Sequence, residues 1–492
     1  MRVLPAFLTI TIGLVASRAA FALDPKFCDS KDNGGGGACY GLEPTFTNQD
    51  VAGDPRGGPV SRGVADAWRA AVMTACTDRM TYSCRLEAVE HDDEGMAGKC
   101  SNEHANSPSD EIAAGHKFRV CVYPKKAIWT KAWWYEVTYD YSCIEIKTRP
   151  ANASWLQGLA TNEGVIDRLM FGVAHSAGVD PDPLYGGGHV HIDVESGFTS
   201  PRHLVNFMTR IHNLRFLPLN PDLGDMGLNS PSLAMLGAPA RARYSTFINQ
   251  DLSRYTVAGG LVALTRDLAA AAYLYTYSDR QLGVGDSAVI KARYAEASRT
   301  YELAHDEALP DYDDAWGIPP DLSRMPENAR NTINALGGDR LIKYRAQDED
   351  TGLGWPNKAQ EIRMAPQYGT IEIRNLAAPM SVGDINNLVW LFSKGIDSTP
   401  TDRLLALDDN LALTSTDADI TRAWRPAEYA AFGRKRFAHD GPQLVGAEVD
   451  DVIARFRAFV NNDKLVCRLE GLMPAQIRAR LDGVGGLCRA PS

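Results

Sequence analysis

The 492-residue chain has no cysteine between Cys143 and Cys467, no Cys-x-x-Cys pair and no long basic run. Without the Cys-x-x-Cys spacing, the common structural zinc modules are excluded. The lack of basic clusters, with a formal net charge of −10, argues against nucleic acid or another polyanionic macromolecule as partner. Beyond the N-terminus no apolar run reads as a stable membrane span. The strongest, Leu261 to Tyr277, contains Arg266 and Asp267 and reads as a buried helix. No internal repeat is apparent, which argues against solenoids and propellers. Composition is otherwise that of a globular protein, 45% hydrophobic and 23% charged, with length for one to three domains.

The N-terminus has the pattern of an export signal. Arg2 is the only early charge, Val3 to Ala16 is apolar but short for a bilayer, and Ala20-Phe21-Ala22 offers an A-x-A cleavage site. Residues 1–22 therefore read as a signal peptide, with an uncleaved anchor as the other reading. An exported chain, periplasmic or secreted, is expected. The cysteines agree: seven fall within residues 28–143 and two near the C-terminus, the distribution of disulfide staples in an oxidising compartment. Cys467 with Cys488 is the simplest pairing, and the odd total of nine leaves one thiol over.

Residues 23–60 read as loop, and Ser61 as the cap of a helix running to about Cys76. Period-two alternation marks strands at Phe118 to Tyr123, Trp133 to Tyr141 and Cys143 to Thr148, the last with Glu145 and Lys147 on one face. A helix over 154–177, a His-containing strand, and a helix opened by Ser200-Pro201 and running to about Phe216 follow. Three helical stretches are expected within 256–308. Strands are expected at 341–347 and 360–375, a helix from Asp384 to about Lys394, and helices at 446–461 and 474–482 in the tail. Strands separated by long helices suggest a mixed α/β or α+β domain. The regions read as a Cys-rich 23–116, a central mixed domain 117–400, which the resemblance given below would make catalytic, and a helical 401–492.

Two segments concentrate polar chemistry. Gly186-Gly187-Gly188-His189-Val190-His191-Ile192-Asp193 carries histidines at i and i+2; Gly369-Thr370-Ile371-Glu372-Ile373-Arg374 carries a carboxylate and a guanidinium in the same way. On a strand each pair shares one face, leaving Val190, Ile192, Ile371 and Ile373 for the core. Imidazoles, a carboxylate and an arginine in one cleft suit a metal bound to a phosphate. The preceding glycines suit close approach of the backbone to a bound group. Taken singly, each motif has a plainer reading: hydrogen-bonded or exposed histidines, a same-face ion pair, a surface carboxylate at Glu145. His-x-His with a distant Glu also suits zinc in a hydrolase.

Taken in order, the motifs resemble the glutamine synthetase / glutamate–cysteine ligase superfamily of carboxylate–amine ligases, most closely its amidoligase branch. The resemblance rests on Trp134 to Ser142 leading into Ile144-Glu145-Ile146-Lys147-Thr148-Arg149-Pro150, on Gly188 to Asp193, on Lys343-Tyr344-Arg345, and on Gly369 to Arg374 with its following helix. It covers roughly residues 117–396. It implies a glutamine-synthetase-like α+β fold: a curved, largely antiparallel sheet flanked by helices, here with a disulfide-rich N-terminal segment and a helical C-terminal tail. It also implies ATP and Mg2+ or Mn2+, an acyl-phosphate route to an amide, and an amino-acid, peptide or protein substrate carrying a carboxylate and an amine. By the same resemblance Glu145, His189 and Glu372 are metal ligands, His191 is a nucleotide-phosphate contact, and Arg363 is a weaker candidate for a substrate or phosphate contact. Arg374 stabilises the transferred phosphoryl group, with Glu372 counted beside it as catalytic. Arg241, Arg243 and Lys343 are weaker substrate candidates.

The family's opening Glu-x-Glu strand has no clean copy. Glu87 and Glu90, three apart, cannot share a strand face without a bulge. Two further readings stay open beside the ligase: a metal-dependent hydrolase or acyl transferase acting on an exported peptide or cell-wall amide, and a non-catalytic binding protein on the same fold.

Overall fold

Alternating side chains build the centre of this molecule, because each strand gives one face to the core and keeps the other polar. In the computed structural model the described residues are 37–76, 82–89, 100, 112–125, 132–140, 143–161, 164–181, 187–214, 218–219, 244–268, 295, 298–304, 362–365, 368–374, 376–408, 446–473, 475–483 and 487–488. The expected signal segment 1–22, the expected strand 341–347, Glu90, Arg241, Arg243 and Lys343 lie outside them.

Among these residues ten strands form one sheet. They are β1 (Cys39–Thr47), β2 (Tyr82–Ala88), β3 (Phe118–Pro124), β4 (Trp133–Asp140), β5 (Cys143–Thr148), β6 (Ala151–Asn152), β7 (Asp180–Pro181), β8 (Gly188–Asp193), β9 (Ile362–Ala365) and β10 (Thr370–Ile373). The order is β2-β3-β4-β5-β1-β8-β10-β9, with β6 and β7 also paired to β1. Each of these pairings is antiparallel. The architecture is thus a mixture of helix and antiparallel sheet.

Leu42, Phe46, Val120, Tyr135, Val137, Ile144, Ile146, Val190, Ile192, Ile371 and Ile373 are all buried in one core with the flanking helices. Helix Pro59–Cys76 lays Val64, Trp68 and Val72 against it. Phe46 meets Trp68 edge-on at 5.3 Å, and the Trp68 indole donates to the Tyr135 hydroxyl at 3.1 Å. Helix Val382–Asp397 is capped by the Ser381 hydroxyl, which accepts from the Asp384 amide. It reaches the start of β1 through a 2.7 Å hydrogen bond between Tyr40 and Ser393. Helices Gly446–Val460, Asp463–Leu469 and Ala475–Gly483 form the C-terminal part, where Cys467 pairs with Cys488. Cys76–Cys84 and Cys100–Cys121 tie β2 and β3 to neighbouring segments. Cys39 is also disulfide-bonded, and among the described residues the free thiol is the buried Cys143. No helix among the described residues is long and apolar enough to cross a membrane.

Three expectations need correction. The 23–60 loop contains β1, the strand between β5 and β8; Gly41 and Pro44, poor strand residues, disguise it. Ser61 is not a cap: the helix starts at Pro59, and the buried Ser61 hydroxyl donates to Asp54 at 2.8 Å. The helix expected over 154–177 is broken. Ala153–Thr161 ends before Gly164, whose φ of +58° is left-handed, and a π-helical turn, Asp167–Phe171, precedes Gly172–Ser176. The helix after Ser200-Pro201 is the expected one but ends at His212.

Candidate functional site

The face of the sheet opposite the helix-packed core carries charge from strand to strand. Register decides the meetings. Glu43 on β1 lies opposite His189 on β8, and His191 lies opposite Glu372 on β10, which in turn lies opposite Arg363 on β9. On the other side of β1, Thr45 pairs with Glu145, and Glu145 with Thr138 on β4. Six sequence candidates, Glu145, His189, His191, Arg363, Glu372 and Arg374, therefore project from neighbouring strands, and the structure adds Glu43.

His189 Nδ1 is 3.2 Å from a Glu43 oxygen and 3.2 Å from a Glu372 oxygen. His191 turns Nδ1 to the Thr370 hydroxyl at 3.0 Å and Nε2 toward Glu43 at 3.4 Å and Glu372 at 3.8 Å. A partner on one ring nitrogen fixes the imidazole and aims the other, the usual outer support of a histidine ligand. Arg363 donates to Glu372 at 2.9 Å, and Arg374 donates to its other oxygen. Lys147 stands 3.7 Å from Glu145, and the Thr138 hydroxyl donates to Glu145 at 3.3 Å.

These neighbours split the carboxylates electrostatically. Burial raises all three, since it penalises charge. At Glu43 the charge of His191 and hydrogen bonds from both histidines outweigh burial and hold the carboxyl well below its ordinary range. At Glu372 burial is overcome by Arg374 and Arg363, so it too is lowered. At Glu145 burial wins: Lys147 opposes it, Glu43 and Asp140 reinforce it, and the carboxyl is pushed up to about 7. Lys117, beside β3, is pulled down to about 8 by burial and by the cations Arg56 and Lys147.

Two sets of donors lie close enough to share an ion: Glu43, His191 and Glu372, and Glu43, Glu145 and His189, with donor atoms within 4.8 Å of one another in each. Carboxylate oxygens with imidazole suit a divalent cation, and Glu43, common to both sets, has the lone pairs to bridge two. The donor chemistry therefore fits a metal. His191, expected as a phosphate contact, falls inside a donor set. A third grouping, Glu87 with Cys100 and Cys121, has its sulfurs tied in a disulfide.

Glu87 sits at the far end of the sheet beside Arg119, 3.7 Å away, and belongs to neither of the donor sets that contain Glu43. Glu43 is hidden within Gly-Leu-Glu-Pro-Thr. Its signal is the alternation of Tyr40, Leu42 and Phe46 with Gly41, Glu43, Thr45 and Thr47. The role of the glycines also differs from the expectation. A Cβ on Gly188 would meet the Ala377 carbonyl oxygen at 2.7 Å, so the close approach is to the chain's own backbone. Gly369, at φ +68°, makes the left-handed turn between β9 and β10. No family model, curated protein or solved structure matches the chain.

Proposed function

We propose that this chain is an exported carboxylate–amine ligase of the glutamine synthetase / glutamate–cysteine ligase type, on a curved glutamine-synthetase-like sheet. It uses ATP and Mg2+ or Mn2+ to join a carboxylate to an amine through an acyl phosphate. The observation that carries this reading is the pairing of Glu43, Glu145 and Glu372 with Lys147, Arg363 and Arg374 on one sheet face. Leaving the imidazoles out of the count, three carboxyl groups stand against three cationic side chains. A divalent cation would leave a positive surplus, which an anionic ligand such as a polyphosphate neutralises. A neutral amide, the substrate of a metal hydrolase, would not.

Glu43, Glu145, His189, His191 and Glu372 would hold the cations, which when bound shield phosphate charge. Arg363 and Arg374 are held by Glu372 and present fixed guanidinium donors, the geometry suited to a phosphoryl group. Glu43 would take the place of the family's opening carboxylate, with Thr45 at the second position. The disulfides fit an oxidising compartment, in agreement with the export signal. A periplasmic or secreted location belongs to the same proposal.

The test is thermal shift of the oxidised chain, since a ligand bound only by the native state raises the midpoint. ATP with Mg2+ should raise it, ATP or Mg2+ alone should do less, and Glu43→Gln and Glu145→Gln should abolish the joint effect. No response to ATP with either Mg2+ or Mn2+ overturns the ligase reading.

A further inference from the structure

Lys147 has no counterpart among the residues that carry the ligase resemblance to metal and phosphate, yet it sits at the centre of the charged face. Consecutive registers place Glu87 opposite Arg119, Arg119 opposite Glu136, and Glu136 opposite Lys147. Beyond Lys147, Glu43 on β1 lies within electrostatic reach of its ammonium and itself faces His189. The result is a row of alternating charge across five strands, passing from the far edge of the sheet to His189 in the donor cluster.

Within that row Lys147 is enclosed by carboxylates. Its ammonium is 3.7 Å from Glu145, and Glu43 and Glu136 also act on it. Tyr368, which meets the His191 ring edge-on at 6.2 Å, lies within electrostatic reach from the other side. A separation of 3.7 Å is longer than a charge-assisted hydrogen bond, at about 2.7–2.9 Å, so Lys147 balances Glu145 without being locked to it. The side chain keeps 22% of its surface exposed, more than Glu145 or Glu43, so it is the accessible member of the group. Glu43 and Glu145, the carboxylates it balances, belong to one of the two donor sets.

We infer that Lys147 is the ligand's anion anchor: its ammonium balances Glu43 and Glu145 in the absence of a divalent cation, and passes to an anionic oxygen, phosphate or carboxylate, once a cation takes those two carboxylates. The cation and the anion then bind cooperatively, each raising the affinity for the other by the same factor. Lysine suits this as a compact charge on a flexible stem. This inference rests on the metal–anion cleft proposed above.

Isothermal titration of the full oxidised chain tests it, with Mn2+ as the cation and pyrophosphate and glutarate as the two anion probes. The wild type should bind Mn2+, and Mn2+ should strengthen binding of at least one probe roughly tenfold. The better probe tells whether the anchored group is a phosphate or a carboxylate. Lys147→Met should bind Mn2+ as well or more tightly, having lost a neighbouring cation, and should lose the probe; Lys147→Arg should recover most of it. Wild-type protein that binds neither Mn2+ nor any probe overturns the cleft and the anchor together. Wild-type cooperativity that persists in Lys147→Met overturns the anchor alone. If Lys147→Met does not fold, the wild-type measurement still decides, because probe affinity independent of Mn2+ contradicts the inference.

Discussion

Glu372 and Glu145 are the same residue type on the same face of the same sheet, both buried, and they are driven in opposite directions. Glu372 has a guanidinium on each oxygen, from Arg363 and Arg374, and its carboxyl is lowered against burial. Glu145 has one lysine at 3.7 Å and Glu43 and Asp140 nearby, and burial pushes it up to about 7. Burial sets the cost of a charge; the number and distance of counter-charges decide whether the charge is kept. The β8–β10–β9 side of the charged face is thus a fixed ionic frame, whereas the β5–β4 side is poised to gain or lose charge.

The largest effect should come from breaking the frame. Glu372→Gln leaves two guanidiniums facing each other without their counter-charge, and stability should fall by about 3–5 kcal/mol in denaturant titration. A loss under about 1 kcal/mol would mean the frame is not ionic. Arg363→Met removes one of the two cations and should cost less, about 1.5–3 kcal/mol, the range for a hydrogen bond to a charged group. Glu145→Gln should behave oppositely. A carboxyl raised in the folded state contributes stability below its unfolded value of about 4.5, and that contribution is lost as pH rises to about 7. The metal-free variant should therefore match the wild type near pH 5 and exceed it by about 1–3 kcal/mol at pH 8. A constant difference across that range contradicts the assignment. Thr138→Val should have the smallest effect, about 1 kcal/mol, through the one hydroxyl proton shared between the Glu145 carboxylate and carbonyl.

Alternation makes most of the strands legible in the amino-acid sequence. β3, β4 and β5 fall within a residue or two of their expected bounds, and β8 and β10 carry the expected polar pairs. Helix Val382–Asp397 is legible by its position, though it starts two residues before Asp384, which accepts the cap's contacts from within its first turn. β1 is less legible, because Gly41 and Pro44, poor strand residues, sit within its alternation of apolar and polar side chains. What stabilises it there is pairing on both sides, by β5 and β8, which no local pattern contains.

The sequence by itself determined which side chains share a face: His189 with His191, Glu372 with Arg374, Glu145 with Lys147. That follows from the two-residue period of a strand and needs no partner. Tertiary structure decided which faces meet. Placing β1 between β5 and β8 brought Glu43 to both histidines, and antiparallel register set Arg363 opposite Glu372. Glu43 and His189 stand 146 positions apart in the chain, so no local pattern could pair them. Such meetings fix each carboxylate's counter-charges. Charge state in a buried site depends on those distances, so it emerges only when the sheet closes.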